Sequence, residues 1–276
     1  MHYKNSNTMK KKITLLVPTM IGMAALALFL QGCGNGQNKP TVQQEQAVLA
    51  NEEEKVEVEL DQDDDKYYLD CPNNHHPHSI DLGLPSGTIW ACCNIGASAP
   101  EEVGDFFAWG ETSTKEEYNG NTYKWCKNGN VFKMTKYCTN GDFGNVDNKT
   151  SLDVEDDAAY VNWGDQWRMP TEDQLMELMR NTSSEWESRN GMTGKKLTSM
   201  TNGASIFLPS NMLNRHISQE EVDYGVYISS TLGSFAFTAT CFWAVADEES
   251  VGERRRELRS SIRPVRRLQL MHDHEE

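Results

Sequence analysis

The chain has 276 residues, 38% of them hydrophobic and 24% charged, with a formal net charge of −15. That length suits one domain with a sizeable core plus flanking segments, and the lack of heptads or of a 20–50-residue repeat excludes coiled coils and solenoids. The acid excess is concentrated: Glu52 to Asp65 holds nine acids and one Lys, nine minus one giving −8, over half of the total, so the low pI describes one segment rather than the folded part.

Lys10, Lys11 and Lys12 precede an apolar run from Ile13 to Leu30, the order of an export signal. Pro18 interrupts the run, which is long for a signal and short for a spanning helix. Leu30-Gln31-Gly32-Cys33 resembles the bacterial lipoprotein signal, in which lipid is joined to the cysteine and the chain is cut just before it. Gln31 departs from the small residue usual there, and an uncleaved anchor is the other reading. Met9 offers a second start for the same signal. The resemblance implies a mature chain from Cys33, held by acyl chains that contribute about 0.8 kcal/mol per buried methylene. Residues 1–32 are thus a signal peptide. Residues 33–77 read as a disordered acidic linker, too poor in large apolar side chains to offset its chain entropy. Its charge run is a self-repelling spacer, or alternatively a calcium-binding one.

Residues 78–267 form the predicted domain and 268–276 a polar tail. Asn-Gly pairs at 119–120, 128–129, 140–141, 190–191 and 202–203 mark turns, because both positions accept positive φ. Leu197–Thr201 and Ala204–Leu208 read as strands around Asn202-Gly203, with Pro209 ending the second. Thr171 and Gln174 have capping-box spacing, and Leu175, Leu178 and Met179 fall on one face of the helix that follows. A shorter helix is expected near Asp153. The class is therefore α+β.

The segments IDLGLPSGTIWACCNIGASAPEEVGDFFAWGET, NTYKWC, DNKTSLDVEDDAAYVNWGDQWRMPTEDQL, SIFLP, GVYISSTL and SSIRPV, in that order, resemble the Fibrobacter succinogenes major paralogous domain of exported Bacteroidota proteins. The likeness spans nearly the whole predicted domain. It implies a single C-type-lectin-like domain with short antiparallel sheets, one or two main helices and long structured loops, related to formylglycine-generating enzymes. Those relatives use a late cysteine pair. Only Cys241 lies late here, so their chemistry does not carry over. The Glu-Pro-Asn and Gln-Pro-Asp tripeptides of calcium-dependent lectins are absent, and Ile228 stands where the family has a tryptophan.

Six cysteines follow Cys33, an even count that suits disulfides in an exported chain. The resemblance favours Cys126–Cys138, at the family's KWC and KYC positions, worth roughly 2–3 kcal/mol. A two-residue turn at Asn128-Gly129 would instead set Cys126 opposite Val131, so the bridge needs a bulged loop. The pairing of Cys71, Cys92, Cys93 and Cys241 stays open. CPNNHHPH offers Cys71, His75, His76 and His78 as soft metal donors. With no second cluster at a recognisable spacing, it reads as polar chain leading into a strand, and no metal or other cofactor is expected. Asp147, Asp153, Glu155, Asp156, Asp157 and Asp165 are rich in oxygen donors but lack the calcium-loop pattern.

Among the tryptophans, Trp90 and Trp167 sit in core-like motifs, leaving Trp109 and Trp125 as the candidate ligand contacts. Glu101/Glu102 and Glu116/Glu117 have no pocket to tune them, and no hydrolase, zincin or phosphate-loop motif is present. Arg254, Arg255 and Arg256 read as a solvated hairpin loop beside Glu253 and Glu257. The expected function is a non-catalytic, lipid-anchored binding or adhesion module of the outer membrane, facing the periplasm or the cell surface. Its partners would be the membrane and a glycan or surface protein, with no nucleic acid. The alternatives are a structural envelope protein and an enzyme on a formylglycine-generating-like scaffold.

Overall fold

The computed structural model describes residues 12–16, 55–59, 67–68, 71–72, 75–214 and 222–267. The chain divides into two units, Met1–Asp64 and Asp65–Glu276. In the first, β1 (Lys12–Leu16) pairs antiparallel with β2 (Lys55–Glu59), Lys12 facing Glu59. Thus β2 falls within the stretch expected to be tether. Cys33, the expected lipidation site, and the expected tail at 268–276 lie outside the described residues.

The second unit reaches back to Asp65, ahead of the expected boundary at His78. Its strands run β3 (Tyr67–Tyr68), β4 (Ser79–Asp81), β5 (Thr88–Ala91), β6 (Cys126–Lys127) and β7 (Asn130–Met134). Helices α1 (Ala158–Trp163) and α2 (Glu172–Asn181) follow. Then come β8 (Thr182–Arg189), β9 (Met192–Ser199), β10 (Ser205–Pro209), β11 (Met212–Asn214), β12 (Val222–Leu232), β13 (Thr238–Val245), β14 (Glu249–Arg255) and β15 (Val265–Arg267). They form small sheets of order β15-β5-β4-β3, β10-β9-β8, β11-β12-β13-β14 and β6-β7, antiparallel except for β3 with β4. This is a mixed domain of small sheets with two helices among the described residues.

Local chemistry accounts for the elements. All four residues of β5 are buried, as a central strand covered on both faces requires. Asn190 and Gly191, at φ 48° and 83°, make the two-residue turn joining β8 to β9, so Arg189 faces Met192. At Asn202-Gly203 the hairpin forms with Ile206 facing Leu197, but its loop is wider. The Ser199 hydroxyl oxygen accepts from Thr201 and Asn202 N–H, and the Asn202 amide reaches the Asp81 carbonyl at 2.9 Å. Around α2, Thr171 and Gln174 close the capping box reciprocally and Leu175 and Leu178 are buried. Where the shorter helix is expected, a 3-10 turn at Val154–Asp156 follows Asp153, and the α-helix proper starts at Ala158, because the buried Asp157 carboxylate accepts from Ala159 and Tyr160 N–H and so sets its first turn.

Two arginines tie these small sheets together. Arg256 is fully buried: its Nε donates to the Tyr123 hydroxyl and its other nitrogens to the carbonyls of Lys136, Tyr137 and Ala236. Its plane lies 4.5 Å from the Trp109 ring centre. The solvated hairpin loop expected at Arg254–Arg256 is thus corrected: Arg254 and Arg255 end β14, opposite Ala239 and Thr238, and Arg256 points inward, while Arg255 pairs with the buried Glu257. Arg263 is also buried, donating to Asn94 Oδ1 and to the carbonyls of Ala91, Cys92 and Phe207.

Removing the cap by Thr171→Ala is expected to cost about 1 kcal/mol. Arg256→Leu, which strands the buried carbonyls of Tyr137 and Ala236 and the part-buried one of Lys136, is expected to cost roughly 3 kcal/mol or more. Urea unfolding of the two variants beside the parent checks both, and equal losses would refute the arginine's larger role.

Candidate functional site

One side-chain cluster forms where the N-terminal edge of the domain meets the end of β5. Just beyond the β4–β5 ladder, Cys92 N–H donates to the His78 carbonyl at 3.0 Å, and His78 N–H points back at Cys92 Sγ, also at 3.0 Å. This exchange places the Cys92 sulfur beside the His78 ring. The segment before β4 then brings Cys71 and His76 onto the same point. Cys71 Sγ lies 3.4 Å from His76 Nδ1 and 3.2 Å from His78 Nδ1, and Cys92 Sγ lies 3.2 and 3.7 Å from the same two nitrogens. The four donor atoms sit within 4.8 Å of one another. His78 and Cys92 are buried, whereas Cys71 and His76 are partly so.

The sequence named three of these four residues. His75, its other candidate, is exposed and outside the cluster. Cys92 had no spacing signal, because only the β4–β5 pairing carries it to the histidines. The Cys71 and Cys93 thiols hydrogen-bond to Cys92, which holds Cys92 far below the thiol range and pushes both partners up. Beside them a cleft of about 340 Å³ opens, lined by Cys71, Cys92, Glu101, Arg189, Asn190 and Phe207.

A second feature is aromatic. Phe132 from β7, Phe143 from the short turn at 141–143, and Phe235 and Phe237 from the β12–β13 loop meet edge to face or stacked, with ring centres 5.0–6.4 Å apart. Phe132 and Phe235 are 50% and 52% exposed. Phe143 and Phe237 pack on a small core of Ala108, Tyr123, Met134, Cys138 and Ala236. Sequence reading missed this cluster because its members come from three separate segments, a strand, a short turn and a hairpin loop.

The candidate tryptophans are placed otherwise. Trp109 is wholly buried, with Nε1 donating to the Ser229 carbonyl at 2.9 Å, so it serves the core and cannot meet a surface ligand. Trp125 is partly buried. Its Nε1 donates to the Gly110 carbonyl, and Lys124 Nζ stands 4.3 Å from its ring centre. Cys126 and Cys138 border the same small core as free thiols. A bulge seats Met134 opposite Cys126, and Cys138 Sγ turns to the Asn140 carbonyl at 3.1 Å. Cys241 is a buried free thiol whose pKa burial pushes up to about 12.

The acidic stretch is occupied by the protein's own donors. Asp156 takes Lys124 at 3.0 Å, Lys136 at 2.6 Å and the Tyr137 hydroxyl at 2.6 Å. Asp153 takes Lys136 and Lys149, each at 2.6 Å. Asp147 accepts from Tyr137 and Cys138 N–H. Calcium would have to displace these lysines. Burial alone would raise the Asp156 carboxyl, but the bonds from Lys136, Tyr137 and Lys124 outweigh it and hold the pKa below normal. Glu101 accepts from the Asn190 amide and Glu102 from Ser98 N–H, so this pair is tied into loops.

Compared with protein-family models, curated proteins and solved structures, the chain matches none of them.

The lysine–carboxylate network sets an acid limit. Hydrogen bonds from Lys136 and Lys149 lower the Asp153 pKa to about 2, against about 3.9 for a free aspartate. A depressed folded pKa contributes stability above the unfolded value, and that contribution is lost as pH falls through the folded one. The stability gap between the parent and Asp153→Asn should therefore be constant from pH 7 to about pH 5, shrink progressively below that, and close by about pH 1. Urea midpoints across that range measure it, and a gap independent of pH would count against the ion pairs.

Proposed function

We propose that this chain is a lipid-anchored binding module of the outer membrane, whose folded part docks a protein partner on Phe132, Phe143, Phe235 and Phe237. The observation that carries this reading is the exposed phenylalanine cluster, since large apolar rings gathered on loops mark interaction sites. Phenylalanine has no polar group to fix sugar hydroxyls, which favours a protein surface over a glycan. The anchor rests on Leu30-Gln31-Gly32-Cys33 after the apolar run. Among the described residues no helix is long and apolar enough to cross a membrane. The scaffold reads as C-type-lectin-like, in keeping with its short sheets, two helices and long loops, and the module as non-catalytic.

Two experiments bear on it. Cys33→Ser should move the chain from the membrane pellet to the soluble fraction of lysed cells, and continued pelleting would remove the lipid anchor from the reading. A photo-crosslinking residue at Phe235 should give discrete protein adducts in intact cells, absent when it replaces the exposed Met200. A glycan array signal lost in Phe132→Ser/Phe235→Ser, without protein adducts, would instead favour sugar.

A further inference from the structure

The cleft-side cluster goes beyond the docking reading and stands independently of it. We propose that Cys71, His76, His78 and Cys92 form a four-coordinate zinc site. The donor set is two sulfurs and two imidazole nitrogens, the combination found in closed tetrahedral zinc centres. Size agrees as well. With Zn–S near 2.3 Å and Zn–N near 2.0–2.1 Å, a tetrahedron has sulfur-to-nitrogen edges of about 3.5 Å. The four such separations here are 3.2, 3.2, 3.4 and 3.7 Å. No zinc is needed to assemble the group, because the β4–β5 pairing fixes His78 and Cys92 while Cys71 and His76 converge on them.

The surroundings suit a metal-thiolate centre. Arg263, fully buried, bonds the Cys92 carbonyl at 2.9 Å and brings a fixed positive charge to the sulfurs. Two thiolates neutralise the divalent ion, so the closed site carries no net charge. The adjoining cleft gives the ion a route in, past Glu101 and Asn190. Bound zinc joins the segment before β4 to the end of β5, and so clamps the start of the domain to its central sheet. A Cys71–Cys92 disulfide is the competing fate for the same two sulfurs in an oxidising compartment.

The test uses the full chain, purified with reductant and chelator and then freed of both. Cobalt(II) is the probe, because thiolate ligation gives a charge-transfer band and tetrahedral geometry gives intense ligand-field bands. Both are expected to saturate at one equivalent and to be abolished by zinc. Cys92→Ser and His78→Gln are expected to weaken zinc binding by more than the roughly 10–100-fold that follows loss of a supporting partner, whereas His75→Gln and Cys126→Ser leave it unchanged. A measurement on the unaltered chain keeps the result independent of variant folding: zinc should protect Cys71 and Cys92, mapped by mass spectrometry, from alkylation. Absence of the thiolate band, equal alkylation with and without zinc, or a Cys71–Cys92 disulfide in protein isolated from cells without reductant overturns the site. None of these outcomes touches the phenylalanine cluster.

Discussion

Two guanidinium groups buried without a carboxylate hydrogen-bond partner organise this domain. Arg256 and Arg263 each present their donors to backbone carbonyls of segments far apart in sequence, and each is fully enclosed. A fold of small sheets has few ladder bonds between its parts, so its loops depend on side chains to satisfy carbonyls that no strand reaches. Arginine suits the task because its planar fork holds five donors in fixed directions. Arg256 ties the loops at 123, 136–137 and 236, and packs on Trp109. Arg263 ties the end of β5 to β10. Desolvation opposes the charge on Arg263 and lowers its pKa, so the carbonyls it meets offset part of that cost.

The two candidate sites depend on these ties in different ways. Phe143 and Phe237 rest on the small core that holds Ala236, whose carbonyl Arg256 grips. The cysteine–histidine cluster adjoins Arg263, which holds the carbonyl of Cys92 itself. Each functional feature is therefore built on loops, while its position is set by a buried cation and not by a neighbouring strand alone.

What could be read in the sequence was local. The Thr171–Gln174 box, the apolar face at Leu175 and Leu178, and the hairpin ending at Pro209 depend on residues within a few positions of one another, and the structure has them. The rest needed contacts at long range. Nothing near Arg256 announces that it turns inward, since its neighbours Arg254 and Arg255 are charged as well. Trp109 reads as a loop aromatic, and it is one, but the loop folds over it. Cys92 becomes a partner of His76 and His78 only through strand pairing, and the four phenylalanines share no local pattern at all. The site was thus half legible: its donor types were visible at 71–78, while its completion and its geometry came from topology.

The last strand has a consequence for timing. β15 pairs with β5, Val265 facing Trp90, and both buried arginines precede it by no more than nine residues, 265 minus 256. The central sheet and both tie points therefore stay incomplete until the C-terminal end of the domain has been made. A nascent chain lacking its final residues holds β5 with an open edge and loops with unpaired carbonyls, and such long-range closure is slow. The sequence position of the two arginines thus places closure of the central sheet at the end of synthesis.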